Sequence, residues 1–198
     1  MDELGRRMRI IVNACRGGFL ESNRRGEVLS PQGGETPPLH NMMNTLKTIL
    51  YMGFMHGLFT LYIPYQLASR DTPFFDVGIF RYLAVPFWIL GALIIIQCCV
   101  DIIRRGRGTP AFVDPPKELV IAGLYRYVRN PIYVGAMLFQ VGYILWFGSA
   151  MGIVYALLFF LGFNVLILIV EEPILQNQFG ASYEEYCRNV PRWIPKIP

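Results

Sequence analysis

The sequence predicts an all-α, polytopic membrane protein with about four transmembrane helices. Of its 198 residues, 54% are hydrophobic and only 16% are charged, whereas roughly 25% charged residues is usual in soluble domains. Four apolar stretches, at residues 44–67, 82–103, 131–147 and 149–170, approach the roughly 20 residues that a helix needs to cross a bilayer. The alternation typical of a β-barrel is absent, and helices are the other structure that satisfies its own backbone hydrogen bonds in lipid.

The first 40 residues differ from the rest because they are rich in Arg, Gly, Ser and Pro. We expect residues 1–40 to form a cytoplasmic segment that is either disordered or a short helix on the membrane surface. A start of translation at Met42 or Met43 is a third alternative, and the sequence leaves the choice open. Residues 41–198 are expected to form the membrane domain, which ends in a cytoplasmic segment at 171–198.

Basic residues predict the orientation, because cytoplasmic loops of membrane proteins accumulate Lys and Arg. They are abundant before the first span, between the second and third spans and after the fourth, whereas the first opposite connection offsets Arg70 and Arg81 with Asp71 and Asp76. Both termini are therefore predicted to be cytoplasmic. The formal net charge of +4 then reflects topology and attraction to anionic lipid, and no nucleic acid partner is expected. The four cysteines lack the Cys-x-x-Cys spacing of a metal site.

Polar residues are concentrated where the third span begins and the fourth ends. The loop at residues 106–130 is rich in Gly and Pro and longer than a plain helix connector requires, so we expect it to fold back on the membrane surface or onto a ligand. The fourth span is predicted to end at the Glu-Glu-Pro sequence 171–173. An antiparallel hairpin would then bring one polar cluster together at the cytoplasmic surface: Arg129, Asn130 and Tyr133 beside Glu171 and Glu172.

The adjacent carboxylates Glu171 and Glu172 are unusual for the end of a helix, where the helix dipole disfavours each negative charge by roughly 0.3–1 kcal/mol. Departures of this kind often mark functional sites. The alternative is that Pro173 begins a new amphipathic helix extending to about Cys187, since acids are favourable before a helix N-terminus. Arg129 would then simply pair with one of the two carboxylates.

Two segments of the C-terminal half carry a resemblance to a known family. They read KELVIAGLYRYVRNPIYVG at 117–135 and EEPILQNQFGASYEEYCRNVPRWIP at 171–195. Leu-Val before Gly-x-Tyr, Arg-x-Pro-x-Tyr-x-Gly, the paired Glu and Phe-Gly-x-x-Tyr-x-x-Tyr resemble the isoprenylcysteine carboxyl methyltransferase family and its phospholipid methyltransferase relatives. That family commonly has His where this chain has Asn130, and asparagine cannot titrate near neutral pH.

The resemblance implies an enzyme that uses S-adenosylmethionine, with a cytoplasmic cofactor pocket built from the C-terminal half. The loop before the third span would hold the adenosyl part, with two further residues below it and two glutamates at the ribose or amino group. In this sequence those positions are Glu118, Leu119, Val120, Gly123 and Tyr125, then Asn130 and Tyr133, and finally Glu171 and Glu172.

The resemblance also implies a lipid-like or isoprenoid methyl acceptor that enters from the bilayer, so membrane lipids and a lipophilic acceptor are the expected partners. A carboxylate acceptor is already ionised, and Arg129 would orient it through its fork of donors. An amine acceptor must first lose a proton, which makes Glu171 the candidate base. Arg129 and Glu171 are therefore the predicted catalytic residues.

Three other features favour structural roles. The GFMHG sequence at 53–57 has the glycine spacing of a close helix contact. Four polar residues inside the spans are expected to hydrogen-bond between helices, with contact of one of them to a polar head of the substrate as the alternative: His56, Gln97, Gln140 and Asn164. The aromatic residues Tyr183, Tyr186 and Trp193 are expected to anchor an interfacial segment.

Two rival functions remain open from the sequence. The ending YCRNVPRWIP at 186–195 is also similar to membrane sterol and steroid reductases, which makes a nicotinamide-dependent reductase the second enzymatic hypothesis. A non-catalytic lipid-binding scaffold is the third. The paired glutamates at 171 and 172 favour the methyltransferase.

Overall fold

The computed structural model describes residues 38–106 and 117–195, and helices dominate both ranges. Three helices are long and apolar enough to cross a membrane: Thr45–Arg70, Gly78–Gly106 and Ala150–Phe179. A shorter apolar helix, Pro131–Phe147, precedes the last of them. In chain order, we call Thr45–Arg70 the first helix, Gly78–Gly106 the second, Pro131–Phe147 the third and Ala150–Phe179 the fourth. The predicted all-α membrane fold is confirmed, while residues 1–37 of the predicted N-terminal segment and 107–116 of the Gly- and Pro-rich loop lie outside the described residues.

Three of the helices change geometry along their length. The first helix begins before its membrane-crossing part. It consists of Pro38–Met55 and Ile63–Arg70, which are joined by the π-helical turn His56–Tyr62. The second begins as the 3₁₀ turn Gly78–Leu83, continues as Ala84–Asp101 and ends in the π-helical turn Ile102–Gly106. The fourth consists of Ala150–Leu166, the π-helical turn Ile167–Glu171 and Glu172–Phe179, and a tail helix follows at Ala181–Asn189.

The short third helix is the centre of the bundle, since every residue of Pro131–Phe147 is buried or half-buried. It packs most closely against the second helix. At this contact, a Cβ atom added to Gly135 would lie 2.9 Å from the carbonyl oxygen of Gly91. About two turns further along the third helix, the Trp88 indole occupies the space beside Gly142. It donates a hydrogen bond to the Phe139 carbonyl at 3.3 Å. Small residues thus bring the two backbones together, as is usual in membrane helix pairs.

The described residues make no close contact at the glycines of residues 53–57. Among them, a Cβ atom added to Gly53 or Gly57 would meet nothing within 4 Å. Glycine spacing allows a second helix backbone to approach closely, but it does not show that a second helix lies there. In this fold the close approach is made by Gly91 and Gly135 instead.

Two of the π-helical turns lie just before a proline. Pro64 follows His56–Tyr62, and Pro173 follows Ile167–Glu171. Proline has no N–H and its ring clashes with the carbonyl four residues earlier, so a wider turn at that point lets the helix continue. The predicted end of the fourth helix at residues 171–173 is therefore wrong, since the helix passes through Pro173 and ends at Phe179.

The end of the bundle where the third and fourth helices connect is closed by hydrogen bonds. Gly148 adopts a positive φ of 63°, and the Ser149 hydroxyl accepts from the Gly152 N–H at 2.9 Å. Asp71, which follows the first helix, accepts from the Ser149 hydroxyl at 2.8 Å and the Met151 N–H at 3.0 Å. The backbone N–H of Met151, and next the Ser149 hydroxyl, lower the pKa of Asp71 below its ordinary value. We call this the capped end.

Candidate functional site

A cavity lies at the opposite end of the bundle, where the second helix ends and the third begins. The first, third and fourth helices, the loop at 117–130 and the tail helix all contribute to its wall. It contains about 1170 Å³ of space free of protein atoms, part of which is open to solvent. Clefts between the helices of a bundle are common places for ligands, so this cavity is the candidate ligand site among the described residues.

Eight of the ten predicted site residues line this cavity: Glu118, Leu119, Val120, Tyr125, Arg129, Asn130, Tyr133 and Glu171. Gly123 and Glu172 do not. The structure therefore brings most of the predicted residues to one place, although they come from a loop and two helices. Their individual roles stay predictions.

Glu171 lies in the π-helical turn of the fourth helix, facing the third. The Tyr133 hydroxyl donates a hydrogen bond to its carboxylate. The Tyr133 ring in turn packs against Phe163, with ring centroids 4.3 Å apart. The predicted hairpin contact between the start of the third helix and the carboxylates of the fourth is thus confirmed. It holds Glu171 in one orientation at the wall of the cavity.

Glu172 points to a different set of partners. Arg129 Nη1 lies 3.0 Å from Glu172 Oε1, and Arg192 Nη2 lies 2.8 and 2.9 Å from the two carboxylate oxygens. The three side chains are between 16% and 26% exposed, so the network is largely shielded from solvent. Glu172 therefore joins the C-terminal segment to the start of the third helix, and the structure does not bring it to the predicted cofactor contact.

Two buried donors at the cavity have no acceptor among the described residues: Nε of Arg129 and Nδ2 of Asn130. Leaving such a group unpaired costs about 1–3 kcal/mol. Arg129 uses Nη1 for Glu172 and for the Cys187 sulfur at 3.0 Å, which leaves its Nε edge for another partner. Both residues line the cavity, so a ligand with oxygen or ring-nitrogen acceptors would satisfy them.

The described part of the loop is fixed at both ends. The N–H groups of Lys117 and Glu118 donate to the Gly106 carbonyl at 2.8 and 3.2 Å. Gly123 has a positive φ of 56°, and an added Cβ would collide with the buried carboxylate of Asp101. Only glycine fits here without strain. Gly123 thus sets the course of the loop, which explains why it is near the cavity without lining it.

Tyr183 and Tyr186 of the tail helix line the cavity and are only 4% and 3% exposed. They pack with Ile121 and Val190, and the Tyr186 hydroxyl donates to the Tyr125 carbonyl at 2.7 Å. Burial raises the pKa of both phenols well above its ordinary value, so they stay neutral donors. The prediction that these tyrosines anchor an interfacial segment is wrong, because the tail folds back onto the loop.

The first helix supplies a cavity wall that the sequence did not predict. Its contributions are Tyr51, Met52, Met55, His56 and Thr60. His56 Nδ1 lies 2.9 Å from Thr60 Oγ1, so its expected hydrogen bond to another helix is replaced by one within its own helix. Polar residues four apart in an apolar span were the available signal. Nothing in the pattern identified the neighbouring methionines.

Comparisons with known proteins bear on this site. The sequence model of the family described as phospholipid methyltransferase matches residues 79–182. The chain is 38% identical over 80 residues to a protein-S-isoprenylcysteine O-methyltransferase of Schizosaccharomyces pombe, covering 40% of this chain and 34% of the relative. It is 29% identical over 63 residues to an uncharacterized protein of Haemophilus influenzae, covering 32% of this chain and all of the relative. The match thus spans about a third of the length of the Schizosaccharomyces pombe protein. No solved structure gives a significant match.

Proposed function

Because the chain belongs to the phospholipid methyltransferase family, we propose that it is an S-adenosylmethionine-dependent methyltransferase acting on a lipid-like or isoprenoid acceptor at the cytoplasmic membrane face. The observation that carries the proposal is Glu171, a carboxylate held by Tyr133 at the wall of the cavity. An ionisable residue at membrane depth is costly and usually functional.

The charges around the cavity suit a cationic ligand. Among the described residues, Arg129 and Arg192 both pair with Glu172, whereas Glu171 is held by a neutral tyrosine. A second carboxylate, that of Glu118, lines the same cavity. The cofactor would supply an electrophilic methyl group on a sulfonium, and carboxylates and aromatic rings favour such a cation.

The unpaired donors fit the same cofactor. Asn130 Nδ2 would donate to a ring nitrogen or hydroxyl, and Arg129 Nε to a carboxylate, either that of the cofactor's amino acid part or that of an acceptor. Tyr125, Tyr183 and Tyr186 would enclose the ligand and exclude water, which strengthens electrostatic interactions inside the cavity. Glu171 remains the candidate base for an amine acceptor.

The orientation is part of the proposal. Arg104 and Arg105 end the second helix on the cavity side, and Arg129 and Arg192 lie at the same end. By the usual rule for membrane proteins, this bias supports a cavity on the cytoplasmic side. Both termini would then be cytoplasmic, and the cavity would open to the compartment that contains S-adenosylmethionine.

The first test is calorimetric titration of the detergent-purified protein with S-adenosylhomocysteine. We expect binding roughly in the micromolar range that Glu171→Gln abolishes. Glu185→Gln is the matched control, since Glu185 is exposed on the tail helix. Binding of reduced nicotinamide cofactor without S-adenosylhomocysteine would support a reductase instead, and binding of neither by folded protein would support a non-catalytic scaffold.

A further inference from the structure

The cavity extends along the first helix, away from the charged end. Tyr51 and Thr60 both line it, and nine residues of helix correspond to about 13 Å. The next carbonyl, that of Leu61, accepts from the Tyr143 hydroxyl at 3.3 Å, ten residues beyond Tyr133 on the third helix. The wall formed by the first helix therefore reaches from the level of Glu171 toward the membrane interior.

A polar pair lies within this otherwise apolar part of the wall. Thr60 is 1% exposed, and its hydroxyl lies 2.9 Å from Nδ1 of the half-buried His56. This contact fixes the imidazole ring and occupies one of its two nitrogens. Nε2 has no hydrogen-bond partner among the described residues, and His56 lines the cavity. An imidazole at this depth is costly unless it faces a cavity or a partner.

The helix is also widened at this point. His56 begins the π-helical turn His56–Tyr62, which the following Pro64 explains. Such turns inside helices are frequent at functional sites because they redirect side chains. Met52, one turn earlier, and Met55, directly before His56, give the same wall flexible apolar surface.

The first helix lies outside the part of the chain that the family match covers, residues 79–182. The cavity wall thus has two origins. Glu118, Asn130, Tyr133 and Glu171 come from within the matched region, whereas His56 and Thr60 precede it.

We propose that His56, held by Thr60, binds the polar head of the methyl acceptor. This inference rests on the proposed function. The acceptor class is a hydrogen-bonding head group on a lipid or isoprenoid chain. A neutral imidazole donates to a carboxylate or accepts from an amine, so both head groups meet the requirement and the test distinguishes them.

The test uses the full chain in detergent with saturating S-adenosylhomocysteine. It is titrated with two probes, an S-farnesyl-cysteine derivative carrying a carboxylate and a lysophosphatidylethanolamine carrying an amine. We expect one probe to bind wild type. His56→Leu should weaken it about tenfold, Thr60→Val about threefold and His56→Gln less than His56→Leu, as expected for loss of hydrogen bonds. The affinity for S-adenosylhomocysteine should change less than about twofold.

Phe54→Leu serves as the control, since Phe54 is on the same helix and 64% exposed. Equal affinity of wild type and His56→Leu for the bound probe would overturn the assignment. So would binding of neither probe by wild type that still binds S-adenosylhomocysteine. Failure of wild type to bind S-adenosylhomocysteine would instead count against the proposed function itself, so the two failures are separable.

Discussion

The two ends of the bundle differ in whether their polar groups have hydrogen-bond partners. At the capped end, the Asp71 carboxylate and the Ser149 hydroxyl satisfy each other and nearby N–H groups. At the cavity end, Arg129 Nε and Asn130 Nδ2 are buried without an acceptor among the described residues. A polar group without a partner costs free energy in a folded protein. The cavity end therefore retains donors that a ligand or water would satisfy.

Helix geometry also differs between the cavity end and the capped end. The three π-helical turns of the described helices contribute His56, Thr60, Ile102 and Glu171 to the cavity. The capped end has a regular N-cap at Ser149 and a glycine in the left-handed region at 148. The capped end thus follows the usual rules for helix ends, whereas the helices depart from regular α-helical geometry where they line the cavity. This contrast is typical of a functional site on a stable scaffold.

The largest loss of stability is expected at the cavity end, from Glu172→Gln. It would leave Arg129 and Arg192 without a carboxylate in a site where Glu172 is only 21% exposed. We expect a loss of about 2–3 kcal/mol of stability, below the roughly 3–5 kcal/mol of a fully buried pair because the site is partly solvated. Binding of S-adenosylhomocysteine should also weaken, since Arg129 would move.

Thermal unfolding and limited proteolysis of the C-terminal segment measure this effect. Arg188→Gln is the control, because Arg188 is exposed on the tail helix. A combined Glu172→Gln/Arg192→Gln variant should lose less than the sum of the two single variants, since they share one interaction. Strict additivity would show that the network does not join the tail to the third helix.

The packing between the two ends is tested by Gly135→Ala. The new methyl group would lie 2.9 Å from the Gly91 carbonyl oxygen and 2.9 Å from Ile95 Cγ1. Overpacking of this kind costs about 1–3 kcal/mol. Gly53→Ala is the matched control, since its methyl group would meet nothing within 4 Å, and the higher helix propensity of alanine should make it neutral or slightly stabilising. Equal melting temperatures in detergent would contradict the central position of the third helix.

Much of the fold could be predicted from the sequence, because lipid imposes a simple requirement. Apolar length alone identified all four helices. The contacts of Tyr133 with Glu171 and of Arg129 with Glu172 followed from the hairpin geometry. The end of the fourth helix did not follow. Proline in a soluble helix usually ends it, whereas here a π-helical turn before Pro173 lets the helix continue to Phe179.

The site could be predicted only in part, for a physical reason. Glu118, Asn130 and Glu171 belong to the segments that carry the family resemblance, and all three line the cavity. The wall from the first helix depends on which side of that helix faces the third and fourth. Thr48 and Thr60 are buried on this helix, but polar residues in a membrane span do not by themselves reveal which neighbouring helices they face. Tyr183 and Tyr186 were misplaced because amphipathic aromatics suit an interface and a folded-back tail equally well.

A smaller effect at the cavity end is expected from Tyr186→Phe. It removes the hydrogen bond from the Tyr186 hydroxyl to the Tyr125 carbonyl while keeping the ring in the cluster with Ile121 and Val190. We expect a loss of about 1 kcal/mol of stability and weaker binding of S-adenosylhomocysteine, because the loop is less fixed. Calorimetry and thermal unfolding measure both. Tyr127→Phe, at a residue 41% exposed, should change neither, and an unchanged Tyr186→Phe protein would show that the tail does not order the loop.

The smallest effect is expected at the capped end, from Asp71→Asn. The folded pKa of Asp71 is lowered from its ordinary value of 3.8 by the Met151 N–H and the Ser149 hydroxyl. Its contribution to stability is therefore present above about pH 4 and is lost as the pH falls through the lower folded pKa. At pH 7 the variant should melt roughly 1–2 °C below wild type, and the two curves should converge in acid. Affinity for S-adenosylhomocysteine should stay unchanged, since Asp71 is at the other end of the bundle. A difference that persists below the folded pKa, or any loss of binding, would show that the two ends are not independent.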